Sequence, residues 1–121
     1  AGERYSRHFD KKDAYFLPER IEELRAIIAY CQEHKITPVL ITTPFSRYYT
    51  DLVSQEFLQE FRETVNGIAS DTGVVYYDYS FDERFRENLQ YFSDSDHLNP
   101  EGAAYFMSIL WNELPEMKRF Q

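Results

Sequence analysis

The chain has 121 residues, a formal net charge of −8 and a sequence pI of about 4.8. That length makes one compact domain rather than two, and a chain that is 43% hydrophobic and 17% aromatic can bury a real but modest core. The acidic balance argues against a nucleic-acid partner held through its phosphates and against a polybasic membrane patch, and no apolar run approaches the roughly 20 residues of a bilayer span.

Residues 1–17 are polar and aromatic with no clear period, and they are expected to form an irregular N-terminal segment. Ala1 to Phe9 carries no signal-peptide pattern, so a membrane link would require an anchor upstream. Pro18 suits the first turn of a helix. Ile21, Leu24, Ile27, Ile28 and Cys31 then recur at helical spacing, and the helix is expected to end near His34 and Lys35, where positive groups suit a helix C-terminus. Cys31 is the only cysteine. It permits no intrachain disulfide and no Cys-rich zinc site, and on the apolar face of its helix it is expected to be a buried thiol.

The stretch ITPVLITTP, residues 36–44, reads as a parallel strand with Pro38 at its first residues. Thr42, Thr43 and Pro44 mark its end, and a loop is expected through Tyr49. A second helix is expected from Asp51 or Ser54 to Ser70, with Leu58, Phe61, Val65 and Ile68 as its stripe and Asp71-Thr72-Gly73 as its stop. GVVYYDY, residues 73–79, reads as a second strand, and FDERFRENLQYF as a charged aromatic connection. Tyr76, Tyr77, Tyr79, Phe81, Phe85, Tyr91 and Phe92 are expected in the core or at an interface. The last helix starts at the Asn99 cap with Pro100 in its first turn, runs to about Leu114, and is expected to bury Ala103, Met107, Leu110 and Leu114.

Helices alternating with short buried strands imply an α/β chain with right-handed crossovers and a parallel sheet. Two strands make a poor sheet of that kind, because a buried parallel pair needs neighbours on its edges. The fold expected is therefore the second half of a doubly wound three-layer domain, over residues 18–121. Apolar surface at an open sheet edge would favour self-association.

The chemistry concentrates in Y-F-S-D-S-D-H-L-N-P-E-G, residues 91–102. In open α/β sheets reactive groups gather at the carboxyl ends of the strands, and Asp94 and His97 belong to the loop after the second strand. An Asp three residues before a His can fold back to accept the imidazole Nδ1–H, leaving the other nitrogen as a general base. Asp96 adjoins His97 and competes for the same role. Asp94, Asp96 and His97 are also plausible hard metal ligands. No further His or carboxylate follows at a ligand-like spacing, so no metal and no cofactor is expected. Thr43, Pro44 and Ser46 follow the first strand where the wall of a substrate pocket would stand, or where a simple turn would. Asp78 is expected to make local turn hydrogen bonds, and His8 and His34 to lie at the surface.

The block D-S-D-H-L-N-P-E-G-A resembles the last conserved block of the SGNH (GDSL-type) hydrolases, and VLITTP and VVYYDYS are similar to strands of that fold's second half. The nearest likeness is to envelope polysaccharide-modifying acyltransferases of that family. The resemblance implies that His97 is the general base of a Ser-His-Asp triad and Asp94 its orienting carboxylate. It implies a serine esterase or O-acyltransferase acting on acylated cell-envelope glycans or small esters, outside the cytoplasm. The family's G-D-S-like nucleophile turn and its Gly and Asn oxyanion donors have no counterpart among the serines and glycines here. On the resemblance, the nucleophile lies outside this chain. The alternative is a non-catalytic binding module in which D-x-x-H is only a turn.

Overall fold

The structure, a computed structural model, describes residues 18–119 and 121. The expectations for residues 1–17 and for His8 lie outside the described residues. Pro18 opens α1 (Pro18–Glu33), as its missing N–H allows in a first turn. The helix closes through Lys35, whose φ of 59° puts a non-glycine residue in the left-handed region, while the Ile36 amide donates to the Cys31 carbonyl at 2.8 Å. β1 (Val39–Thr42) follows and starts just after Pro38, whose ring can donate no ladder bond.

A short helix stands where a loop through Tyr49 is expected, and the expected second helix follows it. α2 (Arg47–Leu52) and α3 (Gln55–Thr72) are separated at Val53 and Ser54, and the Ser54 hydroxyl caps α3 by accepting from the Phe57 amide. α3 ends on Gly73 at φ 73°, a conformation that favours glycine, with the Gly73 amide returned to Ala69 O. β2 (Val75–Asp78) then pairs in parallel with β1, Val39 opposite Val75 through Thr42 opposite Asp78. The charged connection carries a short α4 (Glu83–Arg86) and a 3-10 turn (Leu89–Tyr91). β3 (Phe92–Asp94) and β4 (His97–Leu98) form a small antiparallel pair, and α5 (Pro100–Glu113) and α6 (Pro115–Lys118) complete the chain. Among the described residues no helix is long and apolar enough to cross a membrane.

The chain is thus mixed α/β, with one parallel and one antiparallel pair of strands. Successive strand residues face opposite sides of a sheet, and helices cover both faces of the parallel pair. Leu40 packs against Ile28 of α1, Ile68 of α3 and Val74, with Ile21 and Leu24 alongside. Ile41, Tyr77 and Tyr79 pack against Phe85 and against Phe106, Ile109 and Leu110 of α5. A third cluster, Tyr49, Val53, Phe57 and Leu58, holds α2 to the start of α3.

Two expectations about burial change. Cys31 is only partly covered rather than buried. On α5 the covered stripe is Gly102, Phe106, Ile109 and Leu110, while Ala103 is exposed and Met107 is 53% exposed. The same 3.6-residue period fits both stripes, and the partner surface decides between them: Phe85 and Tyr79 stand edge-on to Phe106. On α1, Arg25 and Gln32 face α3 through Asp71 and the Thr72 carbonyl, which leaves Ile27 and Tyr30 on the opposite, exposed flank.

Candidate functional site

Because β1 and β2 run parallel, both end at the same edge, and three loops are stitched together there. The Tyr79 amide donates to Thr42 O at 3.0 Å and the Phe45 amide to Ser80 O at 3.2 Å. Ser46 reaches the turn between β3 and β4: its amide and its hydroxyl both donate to Ser95 O, at 3.1 and 2.7 Å. Asp78 accepts from the Ser80 amide and hydroxyl, the local turn bonding expected of it, and also meets Arg62 at 3.1 Å.

Asp94 and His97 are opposed partners across the β3–β4 hairpin. Residues so opposed project on one face and come within reach of each other. The Asp94 carboxylate accepts the Asp96 amide at 3.1 Å, an Asx-type turn, and the same oxygen lies 3.0 Å from His97 Nδ1. Asp96 Oδ1 lies 3.4 Å from the same nitrogen. The two acids differ in setting: the Asp96 side chain is 6% exposed, whereas that of Asp94 is partly open and that of His97 is 53% exposed. The carboxylates accept and do not donate, so Nδ1 carries the ring proton. Nε2 of the neutral imidazole is then the nitrogen with the lone pair. Partial burial works to raise the Asp94 pKa. The Asp96 amide and the His97 ring outweigh it and hold the carboxyl below its usual value.

The far side of the turn is anchored by α5. Asn99 Oδ1 accepts the Gly102 amide at 2.8 Å as the helix cap, while Asn99 Nδ2 donates to Gln90 O at 2.6 Å and the Asn99 amide to Tyr91 O at 2.8 Å. One residue thereby ties the 3-10 turn to the helix start immediately after His97.

Of the sequence-derived site residues, His97 and Asp94 stand together. Thr43 is exposed beside the same edge, whereas Pro44 and Ser46 are fully buried. The side chains of Pro44 and Ser46 pack inward, and Ser46 faces the Asp94–His97 turn. Asp96 joins the site as a second acid. Its adjacency to His97 was the only sequence signal for that, and nothing in the sequence signals the Ser46–Ser95 contact, 49 residues apart. Ligand atoms of Asp94, Asp96 and His97 lie within 4.8 Å of one another. No protein-family model matches this chain, and no curated protein matches it.

The pH limits of the fold follow from neighbouring groups. Hydrogen bonds from Arg84 lower the pKa of Asp82 and of Glu113, and Asp94 is lowered as above. A depressed carboxyl stabilises the fold above its unfolded pKa, about 4, and that contribution is lost as pH falls through the folded value. Tyr76 and Tyr79 are raised, chiefly by burial, and Tyr77 chiefly by its hydrogen bond to Glu116. Their contribution is complete below about pH 10 and is lost as pH rises through the folded values. Urea midpoints measured from pH 2 to 11.5 are expected to fall below about pH 4 and above about pH 10; a midpoint unchanged down to pH 2 would contradict the carboxylate assignments.

Proposed function

We propose that this chain supplies the general base and its orienting carboxylate to a serine esterase or O-acyltransferase. The substrates would be acylated cell-envelope glycans or small esters, and the nucleophilic serine would come from residues outside the chain. The observation that supports this reading is the 3.0 Å approach of His97 Nδ1 to Asp94 in a half-exposed turn at the carboxyl edge of a parallel strand pair. In the reaction, Nε2 of His97 removes the proton from a serine hydroxyl as its oxygen attacks the acyl carbonyl, and then returns it to the departing alcohol. Asp94 holds the ring in the required tautomer and offsets the imidazolium charge. Attack on the resulting acyl-enzyme by water gives hydrolysis; attack by a second hydroxyl gives transfer.

Several of the chain's own hydroxyls have other work. Ser46 bonds to Ser95 O, Ser80 to Asp78, Ser95 to Asp96 and Ser108 to Tyr105 O. The parallel pair also suits a larger doubly wound sheet, since among the described residues it has only two strands and both faces are already covered. Its edges, unpaired among the described residues, are where further strands, or a second copy, would join.

The chain alone is expected to turn over p-nitrophenyl acetate no faster than buffer and to resist labelling by a fluorophosphonate. Turnover abolished by His97→Ala would refute the external nucleophile. A longer polypeptide that contains this chain and the nucleophile should be labelled on a serine and lose at least about a thousandfold in kcat on His97→Ala. Absence of both effects in the longer polypeptide would favour a binding module instead.

A further inference from the structure

We infer that Ser46 is a positioning residue for the His97–Asp94 pair, clamping the turn that carries both to the end of β1. The inference rests on the reading of His97 as a base and names what holds that base in place. Burying a hydroxyl is costly unless it is hydrogen-bonded. Ser46 is 0% exposed, and its hydroxyl is spent on one acceptor, Ser95 O at 2.7 Å. The Ser46 amide donates to the same oxygen at 3.1 Å. Ser95 lies between Asp94 and His97 in the turn, so two donors from another loop converge on the peptide that sets the spacing of the pair.

The clamp is itself rigidly mounted. The Ser46 carbonyl accepts the amides of Tyr49 and Thr50, the first turn of α2, and Tyr49 and Val53 lie in the apolar cluster with Phe57 and Leu58. The hairpin it holds is short, with β3 of three residues and β4 of two. Two-stranded hairpins of that size are marginal alone. Without the clamp the turn keeps its Asn99 anchor but loses this tie to the sheet edge, and misplacement by about 1 Å can cost on the order of a hundredfold in rate. Ser46 touches neither His97 nor Asp94 in the contacts described above; it acts through the Ser95 peptide.

The test reads the imidazole Nδ1–H of His97 by proton and nitrogen NMR in the chain as it stands. His34 is an internal control, because its Nδ1 is bonded to Tyr30 O at 2.8 Å, within α1 and its C-terminal turn. In Ser46→Ala, exchange of the His97 ring proton with water is expected to accelerate about tenfold, the change that accompanies loss of one net hydrogen bond. His34 and the amides of Ile109 and Leu110 should keep their wild-type rates. Ser46→Cys, of similar size and a weaker donor, should give a smaller acceleration, and it carries the comparison should the alanine variant not fold. A His97 proton unchanged in both variants overturns the proposal. So does an equal acceleration of His34 and the core amides, which would mark a purely structural role. Asp94→Asn separates the two layers: a His97 proton indifferent to it overturns the base assignment, and the Ser46 role with it, whereas indifference to Ser46 alone overturns only the clamp.

Discussion

Replacing Gly102 by alanine is expected to cost the fold about 3 kcal/mol, the upper part of the range for overpacking a filled site. Gly102 is buried in the first turn of α5, beneath the 3-10 turn. A Cβ there would fall on the Tyr91 carbonyl oxygen, and within 2.9 Å of Tyr91 Cβ and 3.0 Å of Tyr91 C. Two of those atoms are backbone and cannot swing aside, so the 3-10 turn must retreat as a unit. Its retreat would pull on the bonds from Asn99 to Tyr91 O and Gln90 O, two residues beyond His97. Gly102→Ala should therefore lower the urea midpoint and also broaden the His97 resonances. Gly67→Ala is the matched control. Gly67 lies exposed within α3, and a Cβ there meets nothing within 4 Å, so the better helix former should stabilise by up to about 1 kcal/mol. A Gly102→Ala protein as stable as the parent would mean that the close approach of Tyr91 is not maintained in solution.

Phe85→Ala is expected to cost about 3–5 kcal/mol, a large share of the roughly 5–15 kcal/mol that holds a domain together. Phe85 is fully buried, with ring centroids 5.2 Å from Tyr105, 5.6 Å from Tyr91 and 5.8 Å from Phe106, the last edge-on. A four-residue helix, α4, delivers this side chain into the cluster that also seats Tyr91 and Leu98, which flank the Asp94–His97 turn. The cavity left by alanine would loosen α5 and the base of that turn together. Thermal unfolding followed by circular dichroism measures the loss, and Phe85→Leu, which refills part of the volume, should recover a substantial part of it. A loss below about 1 kcal/mol for the alanine variant would mean that the cluster collapses freely around the gap, and that α4 is not a support of the site.

Much of this architecture is legible in the chain itself, for local reasons. Pro18, Ser54, Gly73, Asn99 and Pro100 mark helix ends because each satisfies or omits a particular backbone bond or dihedral. Val39–Thr42 and Val75–Asp78 are legible as strands because they are short and rich in β-branched and aromatic residues between turn signals. The Asp94–His97 approach is legible for the same kind of reason, since three residues of separation across a tight turn bring the two side chains to one face. The short helix α2 is harder to see. Arg47 to Leu52 carries two tyrosines, a threonine and an aspartate, all weak helix formers, and the burial of Tyr49 and Val53 beside Phe57 and Leu58 holds it in place.

What the chain alone determined is where the longer helices and the parallel strands lie and that an acid stands beside His97, because those depend on neighbours a few residues away. Only the tertiary structure decided which flank of α5 is covered, that Asp96 lies buried against the same ring nitrogen, and that Ser46 faces inward to grip Ser95 rather than outward to a ligand. These are contacts between segments brought together by packing, and a periodic pattern carries no information on what will lie opposite it.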